Sequence, residues 1–167
     1  MNAALVKIDV AAAHLGWSAS KLFDLVDGGT LIDTGFVWVF NLANDLSGER
    51  RDLRWWWPEV EARAVGNTKF YGYQIDWVIK RILPEKRVNF HADEVDQLFQ
   101  IRPRTRIDLH AELSGTQSAA PGGRHFYART DLADFLKRRW LGAIYKRIAD
   151  RNQRNAAQSA SLSSTCN

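Results

Sequence analysis

Apolar positions along this chain follow two rhythms, and the changes from one to the other mark out its elements. Val95, Leu98 and Phe99 stand at i, i+3 and i+4, and Ile75, Val78, Ile79 and Ile82 at i, i+3, i+4 and i+7, spacings that gather side chains on one face of a helix. Leu132, Phe135, Leu136, Trp140, Ala143, Ile144 and Ile148 extend such a seam along a longer helix opened by Thr130. By contrast, Phe36 to Phe40 and Leu53 to Trp57 are β-branched and aromatic runs joined by a polar stretch from Asn44 to Arg51, and they predict a long β-hairpin. Trp38, Trp55 and Trp57 then belong to a core or its cover, because large aromatics bury area before they serve as stacking platforms.

Helix-breaking residues sharpen this outline. Asp9 and Gly16 bound a short helix, and Ser18 caps a second over residues 19–27 that Gly28-Gly29 stops. Pro58 opens a helix that ends at Gly66-Asn67, and Pro84 ends the one carrying Ile75 to Ile82. After Phe99, Pro103 occupies a first helical position, so two helices meet at a corner. The second of these carries Arg102, Arg104, Thr105 and Arg106 at its N-terminus, where backbone N–H groups favour phosphate, and places Ile107 inward. The two helix pairs run in parallel at an offset of 84 residues, matching Leu15 with Phe99, Ser18 with Arg102, Phe23 with Ile107 and Leu25 with Leu109. A tandem repeat is expected.

Two stretches carry a family resemblance. Val10-Ala11-Ala12-Ala13-His14-Leu15-Gly16-Trp17-Ser18 with Gly29-Thr30-Leu31 is one; Ala92 to Phe99, Ala111-Glu112-Leu113 and Phe126 to Leu136 make the other. Both are similar to the MerR-type and excisionase-type winged helix-turn-helix family, although Gln100 and Ala111 stand where that pattern has glycine. The resemblance implies two such units in tandem, residues 1–83 with the Trp-rich hairpin and residues 84–150 with an extended C-terminal helix, within an α+β, mainly α fold. It also implies a reading helix in the major groove and a wing over the backbone.

Charge supports the second unit as the basic one. The net charge is +4, and it is carried after residue 83. Arg102, Arg104, Thr105, Arg106 and His110 on the reading helix, with Arg124 and His125 in the wing, are the candidate DNA contacts there. Ser18, Ser20 and Lys21, with Arg50 and Arg51 at the hairpin tip, are the counterparts in the first unit. The alternative for each is a solvated polar surface with no partner.

Other classes find little support. The single cysteine, Cys166, sits in a Ser-rich tail and can form no internal disulfide, and His14, His91, His110 and His125 lack metal-ligand spacing. No metal or cofactor is expected. Neither a phosphate loop nor a Gly-x-Ser-x-Gly appears, so no enzyme is expected. No run of apolar residues is long enough to span a membrane and no signal-peptide core is evident, which points to a cytoplasmic protein. Residues 151–167 lack an apolar period and are expected to be disordered.

These observations predict a DNA-binding protein, a homodimer joined through Leu136, Trp140, Ala143, Ile144 and Ile148, and the resemblance implies that it is a transcriptional regulator. One alternative is an excisionase-like recombination or replication factor that bends DNA. Another is a protein-interaction module that grips an unknown partner with the Trp-rich hairpin and the C-terminal helix.

Overall fold

The computed structural model describes residues 2–27, 36–43, 51–67, 74–113 and 126–164. Its fold is α+β and mainly helical. The first half contains β1 (Leu5–Val6), α1 (Ile8–Leu15), α2 (Ala19–Asp27), β2 (Val39–Asn41), β3 (Leu53–Trp56), α3 (Trp57–Ala64) and α4 (Ile75–Ile82). The second contains β4 (Asn89–His91), α5 (Ala92–Phe99), α6 (Pro103–Glu112), β5 (Phe126–Ala128), α7 (Arg129–Arg139) and α8 (Leu141–Ser164). Strands β1, β3 and β2 form one antiparallel sheet with β3 central, and β4 and β5 form another.

The chain builds the same local unit twice. Adding 84 to Ile8–Leu15 gives Ala92–Phe99, the bounds of α5, and adding it to the start of α2 gives Pro103, the start of α6. Hydrogen bonds repeat with the helices: Trp17 N donates to Ala12 O at 2.9 Å as Ile101 N does to Asp96 O at 3.0 Å. Gly16 (φ 71°) and Gln100 (φ 49°) take the same left-handed turn position. Each unit closes with a strand that pairs with its first strand and runs straight into a helix. There Trp57 N donates to Ala4 O at 2.9 Å, as Arg129 N does to Val88 O at 2.8 Å. This correspondence of backbone bonds carries the repeat further than residue identity does.

Why the strands read as apolar runs is clear from their burial. Every residue of β2 and β3 is buried, including Trp55 and Trp56, because helices cover the sheet on both sides. The expected hairpin is therefore present, with its tip, Arg50 included, outside the described residues. Trp38 and Trp55 are buried core residues, as expected, and Trp57 is half-buried.

A boundary at residue 83 divides the copies in sequence but not the core. One apolar cluster joins Leu5, Trp38 and Trp56 to Val78, Ile82, Phe90, Val95, Phe99 and Leu136. Ala4 N also donates to Leu98 O at 2.8 Å, and Lys7 N to the Gln100 side-chain oxygen at 2.8 Å. The two copies share one interior.

The C-terminal third differs from its expected form. The helix does not run on from residue 131 to 148; it stops at Trp140, whose extended backbone (φ −64°, ψ 124°) forms a bridge to Phe40. The Trp140 ring stacks on Trp38 at 5.1 Å, and its Nε1–H donates to Val37 O at 2.8 Å. Leu136 is fully buried within the chain. Leu136 and Trp140 are thus used internally and are not available as a dimer seam; Ala143 is half-buried, and the side chains of Ile144 and Ile148 lie outside the described residues. Residues 151–164, expected to be disordered, continue α8, and 150–163 are exposed. Ala, Arg and Gln, with no Pro or Gly, make a permissible helix even without an apolar face to pack. Among the described residues no helix is long and apolar enough to cross a membrane.

Candidate nucleic-acid interface

The α5–turn–α6 corner is built from its ends inward. His91 caps α5: its Nδ1 accepts from Asp93 N at 3.1 Å, and the Glu94 carboxylate accepts from His91 N, a reciprocal capping box. Arg87 in turn pairs with Glu94 at 2.8 Å. At the other end Gln100 adopts the left-handed conformation that glycine takes in the first unit, a strained choice for a side-chain-bearing residue.

Neighbouring strand residues hold that turn in place. Arg54, fully buried on β3, donates from Nε to Phe99 O at 2.7 Å and from Nη2 to Gln100 O at 2.8 Å, satisfying carbonyls at the end of α5. Asp52 accepts from both Arg54 and the Thr105 hydroxyl. Burial alone raises the Asp52 carboxyl, but the hydrogen bonds from Arg54 and Thr105 outweigh it and keep the pKa below the usual carboxylate value. The first unit therefore clamps the turn of the second. The signal of this pair in the sequence is a charged residue in the middle of the apolar run Leu53-Arg54-Trp55.

The clamp also sets the rotation of α6. Thr105, Leu109 and Leu113 are buried, while Ile107, expected inside, is 69% exposed. Thr105 is 5% exposed with its hydroxyl committed to Asp52, so it is not a groove contact. His110 is half-buried with Nδ1 3.5 Å from the Tyr127 hydroxyl, turned toward β5 rather than outward.

Of the remaining candidates, Arg102 and Arg106 are exposed. Arg102 Nε lies 3.9 Å from Asp52, and Arg106 pairs with Asp93 at 3.0 Å and with Asp96. Exposed pairs of this kind are worth about 0–1 kcal/mol, so the guanidinium remains exchangeable with a phosphate. Burial raises the pKa of Asp96, Asp93 adds to the rise, and Arg106 only partly offsets them. In the first unit Ser18 Oγ accepts from Lys21 N at 3.2 Å as the α2 cap, Ser20 is exposed, and Lys21 Nζ sits 4.2 Å over the Trp17 ring. Arg51 is exposed ahead of β3. The Arg104 side chain, Arg124 and His125 lie outside the described residues. Among the described residues no three His, Cys, Asp or Glu side chains gather as metal ligands.

Comparison of the chain with family models, with curated proteins and with solved structures finds no match.

Proposed function

We propose that this protein binds double-stranded DNA through two tandem winged helix-turn-helix units, with α6 as the principal reading helix, and that it regulates transcription. The observation that carries this reading is the duplicated strand–helix–turn–helix and closing strand–helix unit, whose second helix presents its N-terminal turn outward in both copies. Arg102 and Arg106 supply phosphate or guanine contacts, and exposed Ile107 supplies an apolar contact of the kind a thymine methyl makes. Lys21 and Ser20 occupy the matching face of α2. Because Arg106 has to exchange Asp93 and Asp96 for phosphate, binding includes the cost of breaking those surface pairs.

Binding of a fluorescein-labelled random duplex, followed by anisotropy at 50 and 200 mM salt, tests the proposal. Several phosphate contacts predict a slope of log affinity against log salt steeper than about −2. No binding at 50 mM salt ends it.

A further inference from the structure

A cavity of about 760 Å3 opens between the two units. That size falls in the range of small-molecule sites, about 300–1,000 Å3. Its walls are Trp56 and Trp57 from the end of β3 and the start of α3, Trp77 from α4, and Phe90 and Leu98 from the second unit. The buried Trp56 meets Trp77 edge to face with ring centroids 5.9 Å apart, which fixes the half-buried Trp77 ring in the cavity wall.

The charge on this wall is uneven. Arg87 lies over Phe90 but is neutralised by Glu94, at 2.8 Å and 3.0 Å. Arg81 has its guanidinium 4.0 Å over the Trp77 ring and, among the described residues, makes no ion pair. A cation held over an aromatic face and, among the described residues, outside any ion pair is placed to take an anion by charge-assisted hydrogen bonds.

From this arrangement we infer that the cavity binds a small planar aromatic anion, with its ring against the half-buried Trp57 and Trp77 and its anionic group on Arg81. The ligand bridges the first unit, α4 and the second unit, at a site separate from the exposed face of α6.

Titration calorimetry with 1-naphthoate, alongside neutral 1-naphthalenemethanol, tests this without using DNA, so its failure leaves the DNA-binding proposal standing and the reverse also holds. The expected result is saturable one-to-one binding of 1-naphthoate that is about tenfold or more weaker for the neutral compound and for Arg81→Ala. Gln97→Trp, a change at the exposed rim, places a bulky ring at the mouth of the cavity and is expected to weaken binding with the melting temperature unchanged. Absence of saturable heat, equal affinity for the neutral compound, or undiminished binding by both variants overturns the inference.

Discussion

Replacing Arg54 with methionine is expected to destabilise the protein by about 3–5 kcal/mol, the range for removing one partner of a buried, hydrogen-bonded charge pair. Methionine fills much of the same space, so the loss reports the polar contacts rather than a void. It leaves the carbonyls of Phe99 and Gln100 without their donors and Asp52 without its principal cation. Urea denaturation at pH 7 measures the loss, and amide hydrogen exchange locates it. Exchange is expected to accelerate first at Gln100 and Ile101, because the left-handed turn there depends on Arg54. A loss below about 1 kcal/mol, in the range of an ordinary surface substitution, contradicts the clamp.

The second large effect concerns Glu59, a carboxyl 1% exposed at the first turn of α3. One oxygen accepts from Trp38 N at 3.1 Å, and the other is buried with no hydrogen-bond partner among the described residues. Burial pushes its pKa up to about 7, against the opposing pull of the Trp38 and Val37 N–H groups and the Arg63 charge. The folded state therefore holds a proton that the unfolded state releases near pH 4.5, and stability falls as pH rises from there to about 7. The loss across that window is about 3 kcal/mol, after which the curve flattens. Asp52 works in the opposite sense: its lowered pKa contributes stability above the ordinary carboxylate value that is lost as pH falls through the folded one. Stability should peak between these limbs, near pH 4. Glu59→Gln keeps an acceptor for Trp38 N and is expected to remove the fall toward pH 7, so that the variant is the more stable protein at pH 8. Thermal melts of both proteins from pH 4 to 8 provide the check; parallel curves contradict a buried, proton-holding Glu59.

How much of this was legible beforehand depends on the range over which each signal acts. Gly16, Ser18 and Pro103 are local signals, and they placed the helix pairs and their 84-residue offset because turns and caps are decided within a few residues. The strands from Val39 and Leu53 were equally visible, since a strand covered on both sides reads as a mostly apolar run. The rotation of α6 was not visible. Ile107 is the more apolar residue, yet Thr105 faces inward because Asp52, 53 residues away, accepts a hydrogen bond from its hydroxyl. The break at Trp140 was hidden for the same reason: the seam continues in sequence, and only the Val37 carbonyl and the Trp38 ring draw the chain out of the helix. Gln100 in a glycine position made sense only once Arg54 and Lys7 were seen to hold it. Of the candidate site, local reading located the exposed Arg102 and Arg106, but it could not foresee their acidic neighbours in the fold.

The claim on which the functional account rests is that the outward N-terminal turn of α6 meets the duplex. Affinity for a labelled duplex should be compared between Arg102→Glu/Arg106→Glu and Lys80→Glu/Lys86→Glu, which change the net charge equally at exposed positions on and away from that turn. The account predicts a loss of at least about tenfold for the α6 variant and about threefold or less for the control. Equal losses in the two variants contradict it.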